Sequence, residues 1–201
     1  MWLVAGKGEL AVHVADCLHA HGCLLGVVPC FPIDSSLPDL ETWAISSGVR
    51  IYGGGLIPKE VAADYLISVF YNRILRREEL DRFRNCFNIH NSFLPYYRGV
   101  RSINWALKNC ERQHGITLHK MDEGIDSGQI VCQVSYPLWP DLDEVGDVYS
   151  RASGYGKLLW DDFFTGFPNS LEGAWTPYET GSYYDSTQNR FLGDRSGMRR
   201  Q

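Results

Sequence analysis

Between Met1 and His90 short apolar runs alternate with stretches of helical period, a pattern few folds can accommodate. "MWLVA" is followed by Gly6 and Gly8, and Leu10, Val14, Cys17, Leu18 and His21 then recur at helical spacing up to Gly22. "CLLGVVP" reads as a strand, Leu37 to Ser47 as a second helix and "GVRIY" as a further strand. "ADYLISVFY" is a strongly apolar strand, "RREELDRF" a short helix and "CFNIH" the next strand. Strand and helix alternating at this pace predict βαβ units, a mostly parallel central sheet and an α/β class. The right hand of the crossovers sends helices to both faces.

The second half has a different grain. Ile103, Ala106, Leu107 and Cys110 mark one face of a helix. "GITLHKM" and "GQIVCQVSYPL" are β-rich and separated by the turn-rich "DEGIDSG". From Glu144 to Phe164 the residues Val145, Val148, Tyr149, Ala152, Tyr155, Leu159, Trp160 and Phe163 describe a long amphipathic helix, weakened locally by Gly154 and Gly156. The remainder is aromatic and loop-like, so residues 1–180 are expected to form the main domain and 181–201 a C-terminal extension. The terminal "GDRSGMRRQ" is the one stretch whose composition suggests disorder. The aromatic "WTPYETGSYY" is read as a cover for the domain or as a partner surface, with a homodimer as the assembly.

Charge and cysteine usage narrow the function classes. The net charge of −5 and the scatter of Lys and Arg argue against nucleic acid as partner. Six cysteines, none in a CxxC arrangement, argue for free thiols in a reducing compartment. The N-terminal apolar run is too short for a signal peptide, and no stretch approaches the roughly 20 residues that cross a bilayer. A soluble, cytoplasmic protein without membrane partners is expected. His13, Cys17, His19, His21 and Cys23 cluster like metal ligands, but Cys17 lies on the apolar stripe and His19 on another face, so no metal is expected.

The chemistry gathers at the end of "CFNIH". Residues two apart on a strand share a side, so Asn88 and His90 project together while Phe87 and Ile89 enter the other layer. In open α/β sheets the carboxyl ends of the strands are where ligands bind. A hydrogen-bonded core histidine beside a turn asparagine fits the strand pattern equally well. Downstream, "MDEGIDSGQI" offers Asp122, Glu123 and Asp126 in a glycine-bearing loop. A carboxylate there could orient His90, or it could belong to an ordinary solvated turn.

Taken together, "NIHNSFLPYYRG", "INWAL" and "GITLHKMDEGIDSG" resemble the folate-dependent formyltransferase family. That family has an Asn-x-His-x-Ser-x-Leu-Pro segment, followed later by an aspartate in an Asp-x-Gly turn. The likeness is clearest from about Ser68 to Val134. One departure is Asn91, where many members carry proline. The resemblance implies a Rossmann-like formyltransferase fold, N10-formyltetrahydrofolate as formyl donor, and Asn88, His90 and Asp126 as the catalytic constellation. It also implies donor binding by the strand and loop around "SVFYNRIL", at Phe70, Tyr71, Asn72, Ile74 and Leu75, and by Met121, Asp122, Glu123, Gly124 and Ile125 on the other side.

For such a reaction an amine attacks the formyl carbon, negative charge grows on the formyl oxygen, and the amine loses a proton. Asn88 can donate to that oxygen, His90 can stabilise it when protonated or handle a proton when neutral, and Asp126 can hold the ring. Which of His90 and Asp126 first takes the amine's proton stays open. No covalent intermediate is needed, so no Ser or Cys nucleophile is sought.

For the acceptor, the resemblance of "YRG", "INWAL" and "HKMDEGIDSG" is greatest to the sugar-nucleotide and peptide-synthetase-associated members, which implies a primary amine on a nucleotide-linked amino sugar. An amino acid, free or carrier-bound, and glycinamide ribonucleotide are the alternatives. The acidic balance, and little room after Tyr136 for an added domain, disfavour a tRNA acceptor. Lys7, Ser92, Tyr97, Arg98 and Gly99 are the candidate substrate contacts, Lys7 because "AGKGEL" turns from a first strand into a helix, unless it is a plain turn. Tyr183 and Tyr184 either stack on a base or sugar or pack the tail. Two other classes stay in view: a formyl-folate hydrolase and a non-catalytic folate-binding module.

Overall fold

The structure is a computed structural model that describes residues 1–30 and 39–192. The chain runs β1 (Trp2–Gly6), α1 (Gly8–Ala20), β2 (Leu24–Pro29), α2 (Leu40–Ser46), β3 (Tyr65–Val69), α3 (Arg77–Leu80) and β4 (Asn85–His90). It continues with β5 (Arg98–Gly99), α4 (Ser102–Lys108), β6 (Gln113–Lys120), β7 (Ile130–Pro137), α5 (Val145–Gly166) and β8 (Tyr183–Tyr184). Six strands form the central sheet in the order β2-β1-β3-β4-β6-β7. The first four are parallel neighbours, while β6 pairs antiparallel with both β4 and β7. The α/β class and the mostly parallel sheet are as the sequence predicts.

The alternation of apolar residues sorts two cores. Trp2, Val4, Ile67, Val69, Phe87 and Ile89 turn to the face covered by α1, α2, α4 and α5. Leu3, Ala5, Leu66 and Cys86 turn to the other face, closed by the segment carrying Tyr52, Ile57 and Val61 and by the short α3. α1 buries Leu10, Val14 and Leu18 as predicted, and Cys17 is only half-buried.

Three local readings change. "GVRIY" is no strand: Ile51 makes a single bridge to Val27. The helix predicted over "RREELDRF" is confined to Arg77–Leu80. α5 runs unbroken through both glycines, and Gly156 is there for closeness. A Cβ on it would stand 2.6 Å from a Leu10 methyl and 2.9 Å from one of Ile116, so the helix seats directly on α1 and β6. Leu37, the predicted start of the second helix, and the terminal "GDRSGMRRQ" lie outside the described residues. No helix among the described residues is long and apolar enough to cross a membrane.

Candidate active site

The chain order reverses between β1 and its neighbours: β2 lies to one side, β3 to the other. Such a switch point opens a crevice at the carboxyl ends of the strands. A cleft of about 970 Å³ lies there, lined by residues from the ends of β1, β3 and β4 and by the loop before β7. Asn88, His90 and Asp126 all line it.

Their contacts form one network. Ser68 Oγ donates to Asn88 Oδ1 at 2.7 Å, which aims the amide nitrogen at the far side. That nitrogen stands 3.1 Å from His119 Nε2 and 3.3 Å from Asp126 Oδ1. His119 is held through Nδ1, 2.8 Å from the Lys120 carbonyl, which leaves Nε2 with a lone pair to accept from Asn88. His90 Nε2 lies 2.9 Å from the Tyr97 carbonyl, and Nδ1 lies 3.4 Å from Asp126 Oδ2. Both ring nitrogens therefore face oxygen acceptors, and only the imidazolium can donate to both. Asp126 Oδ2 also accepts from the Gly99 amide at 2.9 Å. Burial alone would raise the Asp126 carboxyl; the charge of His90, the His119 ring and the Gly99 amide outweigh it and hold the group well below the usual carboxylate range. It is a carboxylate at neutral pH.

The backbone is strained here. Phe70, Tyr97, Arg101 and Asp126 have φ of 55°, 59°, 56° and 50°, in the left-handed region. Non-glycine residues in that region cost of order 1 kcal/mol and persist where the surroundings over-determine them. Aspartate tolerates this conformation better than most residues, so the "DSG" turn can carry its carboxylate inward.

Of the other expected contacts, Phe70, Tyr71, Asn72, Ile74 and Leu75 line one wall and Met121, Asp122, Gly124 and Ile125 another, while Lys7 and Gly99 stand at the strand ends. Four do not line the cleft. Glu123 pairs outward with Arg77 at 3.3 Å. Ser92 is fully buried, and its carbonyl accepts from Thr117 Oγ1. Tyr97 is buried with its hydroxyl 2.5 Å from Glu111 Oε1, and acts on the site through its carbonyl. Arg98 lies over the Tyr183 ring, and among the described residues the Lys and Arg side chains of the cleft wall are Lys7, Arg73 and Arg101. Of the two tyrosines, Tyr184 packs on Trp105 and Tyr183 reaches the cleft wall.

Sequence reasoning missed His119, Ser68 and Arg101. His119 had a signal: "ITLH" alternates, and an antiparallel neighbour of β4 would set a polar residue opposite Asn88, as the register Asn88 to His119 does. Cys30 also lines the cleft, but burial raises its thiol, so it is no ready nucleophile. Among the described residues no group of three or more potential ligands is arranged to hold a metal ion.

The formyl transferase family model matches residues 57–160, more than half of the chain. The methionyl-tRNA formyltransferase of Kosmotoga olearia is 39% identical over 107 residues, which make 52% of this chain and 34% of that protein. The chain thus spans about a third of the length of the curated relatives it matches. A sugar 3N-formyl transferase crystallised with dTDP and 5-N-formyl-THF superposes with a TM-score of 0.79 at 26% identity, covering 93% of this chain and 70% of that one. An N-formyltransferase from Helicobacter canadensis, in complex with folinic acid and dTDP-3-aminofucose, superposes at 0.78 and 26% identity, covering 92% and 71%.

Proposed function

This chain belongs to the formyl transferase family, and on that premise we propose that it moves a formyl group from N10-formyltetrahydrofolate to a primary amine. The observation that carries the reading is the convergence of Asn88, His90 and an ionised Asp126 at the carboxyl end of β4, in a cleft large enough for a folate and a second substrate.

The donor lies between the Phe70–Leu75 wall and the Met121–Ile125 loop, with its formyl carbon before Asn88 and His90. The acceptor amine attacks that carbon; a C–N bond forms and the carbonyl electrons move onto oxygen. Asn88 Nδ2 is engaged by His119 and Asp126, and the longer bond, to Asp126 at 3.3 Å, is the one it yields to donate to the oxyanion. His90, beside Asp126, donates toward the same oxygen. As the oxyanion collapses and the C–N10 bond breaks, the His90 ring gives a proton to N10 and the ring so freed takes the amine's proton, Asp126 holding it throughout; tetrahydrofolate departs and no net proton is gained or lost.

The acceptor is a nucleotide-linked amino sugar. Lys7, Arg73 and Arg101 in the cleft wall suit a phosphate-bearing acceptor, and two similar structures were solved with dTDP or a dTDP-sugar bound. A second reading, methionyl-tRNA, is favoured by the 39% identity to the Kosmotoga olearia protein. Incubation with N10-formyltetrahydrofolate and a dTDP-amino sugar, methionyl-tRNA, glycinamide ribonucleotide, amino acids or no amine separates these by which arm releases tetrahydrofolate. Release without any amine identifies a hydrolase, and no release in any arm refutes the enzyme.

A further inference from the structure

The two edges of β5 have different occupants. Along an extended backbone, successive N–H groups point to opposite edges. The Arg98 amide donates to the Ser182 carbonyl and the Val100 amide to the Tyr184 carbonyl, both at 2.9 Å, so that edge belongs to β8. Gly99, between them, donates the other way, to Asp126. The Tyr97 carbonyl accepts from His90 Nε2, and the Tyr97 amide donates to Ser182 Oγ at 2.8 Å. One short strand carries the His90–Asp126 pair on one side and segment 182–184 on the other.

The contact is steric as well. Gly99 has φ +91°, and a Cβ there would stand 2.1 Å from the Tyr184 carbonyl oxygen. The Tyr184 ring stacks on Trp105 with centroids 4.4 Å apart and on Tyr97 at 5.7 Å. Asn109 Nδ2 lies 3.1 Å from the Tyr97 hydroxyl and 3.2 Å from that of Tyr184, tying the two rings. Among the described residues the small β5–β8 sheet has no third strand, so the backbone amides of Arg98, Gly99 and Val100 are shared between this segment and Asp126.

We propose that Ser182–Tyr184 is a positioning segment for His90 and Asp126. Docked on β5, it fixes where the Tyr97 carbonyl and the Gly99 amide stand, and through them the imidazole and the carboxylate. Tyr183, Asp185 and Ser186 of the same stretch line the cleft, so an acceptor that touches them presses on the strand that aligns the pair. Acceptor recognition is thereby linked to catalytic geometry, a route to specificity that binding alone does not give. The kinetic consequence rests on the formyl-transfer reading; the structural one does not.

The test is Tyr184→Ala against Tyr184→Phe in the full chain, read by the ¹⁵N spectrum of the His90 ring and by kcat and donor KM. Tyr184→Ala should shift the His90 ring signals and lower kcat about tenfold with donor KM within about twofold, since groups aligned for the transition state leave ground-state binding alone. Tyr184→Phe keeps the stack on Trp105 and should restore both. Unchanged ring signals in Tyr184→Ala overturn the proposal whether or not turnover falls, and shifted signals with unchanged kcat overturn its kinetic half. If the unsubstituted protein transfers no formyl group, the functional reading has failed while the ring spectrum still decides the positioning. Should Tyr184→Ala not fold, Ser182→Ala removes only the bond to the Tyr97 amide, and unchanged ring signals there overturn the proposal equally.

Discussion

Replacing His114 by glutamine should change how stability depends on pH. The ring is 3% exposed on β6, with Nε2 2.8 Å from the Asn91 carbonyl and its edge against Tyr97 and Tyr136. Burial pushes its pKa down to about 4 from an ordinary 6.5, against the raising pull of the Asn91 carbonyl and with help from the charge of His90. Above pH 6.5 neither the folded nor the unfolded chain protonates it, and pH has no effect through it. Below that the unfolded chain binds a proton the folded chain refuses, so stability falls until the folded ring also protonates near pH 4. At 1.36 kcal/mol per unit the whole loss is about 3 kcal/mol, of which about 2 kcal/mol is reached by pH 5. Glutamine can still donate to Asn91 and does not titrate. His114→Gln should therefore be less stable by about 1–2 kcal/mol at neutral pH, from lost ring packing, and the gap should close by about 2 kcal/mol at pH 5. Urea unfolding of both proteins at each pH measures this, and the comparison cancels the carboxylates they share. Parallel stability curves would refute the claim that burial keeps the ring neutral behind the loop that follows His90.

His90→Ala and Asp126→Ala should each lower kcat by about 10²–10⁴-fold in protein that circular dichroism shows to be folded, with Asp126→Ala also lowering the thermal midpoint because it strips the partner from the Gly99 amide and from His90; near-full rates in both would move the reaction elsewhere. Ser68→Ala removes the donor that orients the Asn88 amide, and should lower kcat about tenfold with donor KM within about twofold. An unchanged kcat would mean that His119 alone suffices to aim it. Gly156→Val sets methyls against Leu10 and Ile116, and should destabilise by about 1–3 kcal/mol in urea. A neutral result would show that α5 can lift from α1 at no cost.

Much of the fold was legible because its signals are local. The alternation in "MWLVA" and "CFNIH" needs only the two-residue period of a strand, and α1 and α5 only the helical period. "GVRIY" failed because β propensity says nothing of a partner, and Ile51 meets one for a single bridge. The meeting of Asn88, His90 and Asp126 was legible for a different reason: a strand sends Asn88 and His90 one way, while Asp126, in what its own residues left as an ordinary turn, was singled out by the family resemblance. His119 was not, since its place opposite Asn88 is set by which strands pair and in what register, a long-range fact. Nor was the aromatic tail, whose Tyr184 finds Trp105 and Tyr97 only once three elements are folded.

The cations show most directly what a local reading lacks. Arg98 drew attention by lying close to His90 in the chain, yet it belongs to a strand whose outer edge is taken by the tail. The Lys and Arg side chains that line the cleft among the described residues follow another rule. Lys7 stands between β1 and α1, Arg73 between β3 and α3, and Arg101 between β5 and α4. Each lies where a strand has ended and a helix has not yet begun: Lys7 and Arg73 follow strands of the central sheet, at the carboxyl edge where ligands bind, and Arg101 follows β5 of the separate two-stranded sheet. Topology selects these positions, and once the strand order is known, the strand-to-helix turns identify the charges that face the cleft better than distance along the chain from His90 does.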